Sequence, residues 1–334
     1  MKTAVFSAKP YDRESLENAN QAYGFDLQFF DFPLTSQTVH LVEGFPAVSV
    51  FVNDDVNAEI IRELARGGTR LIATRTAGFN HIDLDAAAEN GIVVVRVPAY
   101  SPNSVSEFTV GLILALARHI PRAYNRVRDG DFDLTGLVGF ELRDKTVGVV
   151  GTGRIGSQLV KNLSGFGCRI LAQDLYPSDE VRQYAEYVEP EVMARESDIL
   201  CIMVPLTPET RYLINERTLP YLKDGVFLVN TSRGALLDTR AVIDGLKSGK
   251  ISKLAIDVYE EEADLFYRDL SGEILHDDVF ARLLTFPNVI VTGHQAYLTD
   301  HALRNIAETT LANIAEFAKT GTAENAVTPV PVDA

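Results

Sequence analysis

The stretch Thr146–Gly156 constrains the fold of this chain more than any other. The apolar run Thr146-Val-Gly-Val-Val150 is followed at once by Gly151-Thr-Gly153-Arg-Ile-Gly156 and then by a helix-like stretch, Ser157–Gly165. Strand, glycines and helix in this order form a dinucleotide-binding fingerprint, whereas the glycines alone would be weak evidence. Gly151 permits the tight turn, Gly153 lets the backbone approach a pyrophosphate, and Gly156 allows close helix–strand packing. The helix start offers free N–H groups and the positive end of its dipole to phosphates. The next strand ends at Asp174, 18 residues beyond Gly156. A carboxylate there accepts ribose hydroxyls and repels a 2′-phosphate, so the motif predicts NAD over NADP.

Around this motif, short β-branched runs alternate with helical patterns along the whole chain, the sign of parallel sheets between helices. A first series of strands reads Thr3–Ser7, Asp26–Asp31, Ala47–Val52, Arg70–Arg75 and Ile92–Val97. Helix-like stretches lie between them, among them Ala58–Arg66 closed by Gly67-Gly68 and Asp85–Asn90 closed by Gly91. Glycine just past the last turn is the usual helix stop. Pro98-Ala-Tyr-Ser-Pro102 must then be extended or turned. Ser104–Arg128 reads as one long helix that Pro121 kinks or divides.

A second series runs Thr146–Val150, Cys168–Asp174, Ile199–Val204, Val226–Asn230, Lys253–Val258 and Val289–Thr292. An amphipathic helix follows from about Thr299 to Phe317, and the tail Gly321–Ala334, with Pro329 and Pro331, reads as loose. The pattern predicts an α/β chain of two Rossmann-like domains, one flavodoxin-like and one NAD-binding, with parallel sheets flanked by helices. Residues 101–297 form the NAD-binding domain in this reading. Residues 1–100 plus 298–334 form the substrate domain.

Composition narrows the function. Lys and Arg total 31 against 46 Asp and Glu, a net charge of −15. Such a surface is poorly suited to neutralising many phosphates, which argues against nucleic acid and anionic membranes as partners. The start, MKTAVFSAKPYDRE, does not read as a signal peptide, because Pro10 and charge interrupt its short apolar stretch. No segment approaches the length of a membrane span. Cys168 and Cys201 stand alone in apolar runs and read as buried small hydrophobes, so the expected place is a reducing cytoplasm. No histidine–carboxylate pattern suggests a metal.

Chemistry in open α/β sheets gathers at the carboxyl ends of strands. Three such ends carry candidates: Thr231-Ser-Arg233-Gly234, Asp257-Val-Tyr-Glu-Glu-Glu262, and Gly293-His294-Gln295. Arg233 offers a planar fork to a carboxylate. His294 can give a proton to a carbonyl oxygen and recover it in reverse. Glu262 beside that imidazole would orient it. Each has a plainer reading, as a surface arginine, a solvated acidic loop and a structural histidine. His81 reads as making local hydrogen bonds at a helix start, and His40, His119, His276 and His301 have no spacing that suggests a site.

These residues sit within longer motifs. They include Arg75-Thr-Ala-Gly78-Phe-Asn-His-Ile-Asp83, Val97-Pro-Ala-Tyr100-Ser-Pro-Asn, Val204-Pro205-Leu-Thr and Asn230-Thr-Ser-Arg233-Gly. Asp257–Glu262, Thr292-Gly-His294-Gln-Ala-Tyr297 and Asp277–Pro287 complete the set. Over nearly its whole length the chain resembles the D-isomer-specific 2-hydroxyacid dehydrogenases, with Asp277–Pro287 pointing to their fermentative D-lactate branch. The resemblance implies reversible hydride transfer between NADH and pyruvate, with Arg233 anchoring the substrate carboxylate, His294 as acid and base, and Glu262 as its partner. It also implies that Arg154, Ile155, Val204, Pro205, Thr210, Thr231, Ser232, Arg233 and Asp257 line the NAD site beside Gly151, Gly153, Gly156 and Asp174. Ala77 and Gly78 would meet the substrate carboxylate through peptide N–H groups, Tyr100 would close the pocket, and Tyr297 would crowd the substrate side chain. Domain closure would exclude water. A homodimer or homotetramer built through the 104–128 helix region is implied too.

Two other functions share these features: a dehydrogenase for a longer-chain 2-keto acid, and an NADH-sensing corepressor that binds protein partners. The complete Arg–Glu–His set favours catalysis over the second.

Overall fold

The computed structural model describes residues 1–329. The chain divides into two compact units, residues 1–101 with 298–334 and residues 102–297.

In the 102–297 unit, seven strands form one parallel sheet. Numbered through the whole chain they are β6 (Thr146–Val150), β7 (Arg169–Gln173), β8 (Glu186–Tyr187), β9 (Ile199–Ile202), β10 (Val226–Asn230), β11 (Ile251–Ile256) and β12 (Val289–Val291). Their spatial order is β12-β11-β10-β9-β6-β7-β8. The chain leaves the middle of the sheet in opposite directions from β6 and β9, so a crevice opens beyond their carboxyl ends. The strands are apolar on both sides because helices cover both faces. Val147, Val149, Cys201 and Val229 pack with helix residues Leu159, Val160 and Leu163 on one face. Leu200, Leu228 and Leu254 pack with Val242, Ile243 and Leu246 on the other.

The other unit holds β1 (Lys2–Val5), β2 (Asp26–Phe29), β3 (Ala47–Val50), β4 (Leu71–Thr74), β5 (Val93–Val95) and β13 (Ala326–Val327), in the order β13-β5-β4-β3-β1-β2. All its pairs are parallel except β13 with β5. The 2-1-3-4-5 order of its parallel strands is the flavodoxin-like arrangement. Helix Ala58–Arg66 starts at Asn57, whose side chain accepts from the N–H groups of Glu59 and Ile60, and Ile60, Ile61 and Leu64 bury its inner face. The last helix, Asp300–Thr320, is capped by Thr299 and stopped by Gly321 in the left-handed conformation.

Two local expectations need correction, a third is refined, and one strand was not foreseen. The tail is not wholly loose, since Ala326–Val327 pairs with β5; Pro331 lies outside the described residues. The 104–128 stretch is divided in two, as Pro121 suggested, into Pro102–Ala117 and Ile120–Arg128, but the break falls at His119, which takes a left-handed φ of 55°. Pro121 therefore sits in the first turn of the second helix, where its missing N–H costs nothing. Strand β8 is only two residues long and carries no run that alternation could reveal. Cys201 is fully buried, but Cys168 is only partly so; both are free, and burial pushes both thiols up.

Gly156 is the tightest point of the strand–helix junction. A Cβ placed there would lie 1.9 Å from the Gly151 carbonyl oxygen, a backbone atom that cannot step aside. Gly151 itself has φ 93° and backs onto Met203. Gly156→Ala is therefore expected to cost about 1–3 kcal/mol of overpacking. Thermal unfolding should show a midpoint lowered by several degrees, whereas Gly165→Ala, which has room, should not.

Candidate active site

The carboxyl edge of the 102–297 sheet carries two groups of residues. Beyond β6, helix Arg154–Ser164 begins with Gly153 as its cap and no side chain bonded to its first N–H groups. A Cβ on Gly153 would meet nothing within 4 Å, so this backbone faces open space. Asp174, just past β7, accepts from the Thr152 N–H and hydroxyl and from the Tyr176 N–H at 2.9 Å. It thus ties the glycine turn to the end of β7. The Tyr187 hydroxyl on β8, not foreseen from the sequence, lies 2.7 Å from Thr152 Oγ1. An uncapped helix start, an open glycine and a partly exposed carboxylate at the ribose position fit NAD. Arg154 is exposed and Ile155 half-buried at the same helix start.

Val204 and Pro205 leave β9 on the other side of the crevice. Thr210 holds their turn: its hydroxyl donates to the Pro205 carbonyl at 2.7 Å and accepts from the Thr207 N–H. Thr231 is buried, its hydroxyl 2.8 Å from that of Thr109. Ser232 donates its N–H to Asn230 Oδ1 at 3.0 Å, and Asn230 Nδ2 donates to the Arg233 carbonyl at 2.8 Å. The turn thereby presents Arg233, whose Nη1 donates to the Ser232 carbonyl at 2.7 Å. Among the described residues no carboxylate neutralises this guanidinium.

Glu262 and His294, 32 positions apart in the chain, meet with Nδ1 and Oε1 2.8 Å apart. The other oxygen of Glu262 accepts the Tyr259 N–H at 3.0 Å. Both side chains retain some exposure, 16% for His294 and 20% for Glu262. Because Nδ1 faces the carboxylate, Nε2 is the nitrogen left to handle a proton. Gly234 brings the Arg233 turn against Tyr259: a Cβ there would lie 2.0 Å from the Tyr259 carbonyl carbon. Only glycine lets the Arg233 turn sit against the segment that leads to Glu262.

Asp257 has a role the sequence did not disclose. Expected to line the cofactor site, it is fully enclosed and accepts from Thr292 Oγ1 at 2.5 Å, Gln295 N–H at 2.9 Å and Ala296 N–H at 2.8 Å. Its own carbonyl accepts the His294 N–H at 2.7 Å. Burial pushes this carboxyl up, and the three donors pull the other way. His294 has φ 54°, a left-handed conformation costly for a residue with a Cβ. The charge-assisted bonds around Asp257 hold the turn in that form. Tyr259 was also missed: it is buried, donates to Asp277 Oδ2 at 2.7 Å, and so ties the Glu262 loop to the Asp277–Pro287 motif.

Tyr297, two residues beyond Gln295, is buried in the same unit. Ala77, Gly78 and Tyr100 belong to the other unit. Among the described residues no group of three or more His, Cys, Asp or Glu could hold a metal ion, and no helix is long and apolar enough to cross a membrane.

A dinucleotide crevice beside a carboxylate-oriented histidine and an unneutralised arginine defines a dehydrogenase for small acids. Residues 110–296 match the NAD binding domain of the D-isomer specific 2-hydroxyacid dehydrogenases. The chain belongs to this family and is an NAD-dependent oxidoreductase. It is 49% identical to the D-lactate dehydrogenase of Escherichia coli over 97% of this chain and 99% of that protein. It is 50% identical to 2-hydroxyacid dehydrogenase homolog 1 of Schizosaccharomyces pombe over 95% of this chain and 96% of that one. The apo-structure of the E. coli D-lactate dehydrogenase superposes with a TM-score of 0.89 at 47% identity, covering 98% of this chain and 100% of that one.

Two outcomes follow from this geometry. Asp174→Ala should narrow the preference for NADH over NADPH, because it removes a like charge from the 2′-phosphate; kcat/KM ratios for the two cofactors measure this. Asp257→Asn should lower kcat by about ten-fold or more, since an amide cannot accept all three donors and the His294 turn loosens. NADH affinity, read by fluorescence titration, should change less than kcat in the Asp257 variant.

Proposed function

We propose that the protein is a D-lactate dehydrogenase that reduces pyruvate to D-lactate and runs in reverse. The observation that carries this reading is an unneutralised Arg233 after β10 and a Glu262-bound His294 after β12 at the same edge of one parallel sheet. Arg233 pairs its fork with the carboxylate of the 2-keto acid and fixes the orientation of the carbonyl. His294 Nε2 gives a proton to the carbonyl oxygen during reduction and takes it back during oxidation. Glu262 holds the ring and balances its charge when protonated. NADH, when bound, supplies the hydride, and Gly151, Gly153, Arg154, Ile155, Gly156, Asp174, Val204, Pro205, Thr210, Thr231, Ser232 and Arg233 belong to its site in this reading, with the enclosed Asp257 behind them holding the His294 turn. Ala77, Gly78, Tyr100 and Tyr297 contribute to substrate binding, as the family resemblance implies, and residues 1–100 with 298–334 serve as the substrate domain.

The same reading includes a cytoplasmic place, supported by the free cysteines, and a homo-oligomer. Of the two helices at 102–128, the first buries Leu112, Ile113 and Leu116 in the core of its own unit. The second, with the segment after it, exposes Ile120, Tyr124, Val127, Phe132, Leu134 and Val138. A self-association surface belongs there rather than on the first helix.

The activity test is NADH consumption with a series of 2-keto acids from pyruvate to branched and aromatic ones, with the lactate enantiomer identified by chiral chromatography. Pyruvate should give the highest kcat/KM and D-lactate as product. A higher value with a longer acid would reassign the substrate, and no turnover with any acid would remove the catalytic reading. Arg233→Lys should raise the KM for pyruvate and lower kcat, together about a hundred-fold in kcat/KM, because the two-pronged geometry is lost. NADH affinity should stay within about three-fold.

A further inference from the structure

The loop after β4 carries a feature that neither the motif nor the family explains: three successive carbonyl groups are all tied from within their own unit. The Thr76 carbonyl accepts the Val97 N–H at 3.1 Å. The Ala77 carbonyl accepts Arg96 Nη1 at 3.1 Å, and the Gly78 carbonyl accepts Thr76 Oγ1 at 2.6 Å. The Thr76 hydroxyl proton is committed to Gly78, so Thr74 Oγ1, 2.6 Å away, donates to Thr76.

In a trans peptide the C=O and the following N–H point in opposite directions. Fixing the Thr76, Ala77 and Gly78 carbonyls therefore fixes the N–H groups of Ala77, Gly78 and Phe79, each turned away from the group that holds its carbonyl. Among the described residues these three N–H groups have no partner. Successive free amides of this kind make an anion-binding concavity.

Among the described residues, Arg96, just past β5, is the side chain from outside the loop that hydrogen-bonds one of these three carbonyls. Its guanidinium lies 5.4 Å from the Phe79 ring centroid, its N–H donates to the Asn325 carbonyl at 3.1 Å, and its carbonyl accepts Asn313 Nδ2 at 2.9 Å. Asn325 Nδ2 in turn donates to Asn313 Oδ1 at 2.8 Å, and Asn313 is 2% exposed. The last helix and β13 thus clamp the backbone of Arg96, and Arg96 holds the Ala77–Gly78 peptide.

We infer that Arg96 is a positioning residue for substrate: by holding the Ala77 carbonyl it aims the Gly78 N–H at the substrate carboxylate. This inference rests on the dehydrogenase reading above. Arg96 does not itself touch substrate in this account. Its removal should weaken binding of the carboxylate while leaving the cofactor and proton-handling groups intact.

The experiment compares Arg96→Met, Arg96→Lys and Thr76→Val with the unaltered protein. It measures KM and kcat for pyruvate, the inhibition constant of oxamate, an isostere of pyruvate, and the dissociation constant of NADH. Arg96→Met should raise the oxamate constant and the pyruvate KM about ten-fold, with kcat and NADH binding within about three-fold. Arg96→Lys keeps a donor and should recover most of the loss, and Thr76→Val, which frees the Gly78 carbonyl, should shift the same two constants upward. Oxamate inhibition unaltered in Arg96→Met, or NADH binding weakened by the same factor as oxamate, would overturn the inference. An unaltered protein inert toward both pyruvate and oxamate would instead overturn the dehydrogenase reading on which it rests.

Discussion

The carboxyl edge of the 102–297 sheet depends on one buried carboxylate. Asp257 closes the end of β11 and gathers Thr292, Gln295 and Ala296 onto its two oxygens, while its carbonyl takes the His294 N–H. A carboxylate without those donors would be expensive in so enclosed a place, and the His294 turn without that acceptor would leave the Gln295 and Ala296 N–H groups unpaired. Each makes the other affordable. The consequence is a histidine held in a left-handed backbone conformation with its Nδ1 against Glu262.

The rest of the 102–297 unit can be understood as support for that edge. Parallel strands β10, β11 and β12 run side by side, so the turns after them emerge at the same edge. Gly234 permits close approach of the Arg233 turn to Tyr259, and Tyr259 passes its N–H to Glu262 and its hydroxyl to Asp277. Arginine, glutamate and histidine thus come from three separate chain segments onto one rigid sheet. Sites carried on sheet ends hold their geometry better than sites on long loops.

How much of this was legible in the sequence differs from element to element. The parallel sheets and the glycine turn were visible because buried parallel strands are continuous apolar runs and because Gly151, Gly153 and Gly156 leave a fixed spacing. Arg233, Glu262 and His294 were visible as ionisable residues at strand ends, and the family resemblance gave them roles. Strands β8 and β13 were not, being two residues each and defined by pairing partners far away in the chain. Pro121 signalled the division of the 104–128 stretch but not its place, because the left-handed turn at His119 has no side-chain signature. The anchoring role of Asp257 was hidden for another reason: an aspartate after a strand looks the same whether it faces a ligand or a turn 38 residues ahead. Arg96 was hidden likewise, since its importance lies in which carbonyl it reaches.

The central claim is that Glu262 and His294 act as one proton-handling unit. A double-mutant cycle on kcat/KM for pyruvate reduction, with Glu262→Gln, His294→Gln and the pair, tests it most directly. Groups that act as a unit are strongly non-additive. The double variant should therefore be no slower than His294→Gln alone, within about two-fold. A double variant slowed by the full product of the two single losses would show that Glu262 and His294 work independently and would contradict the account.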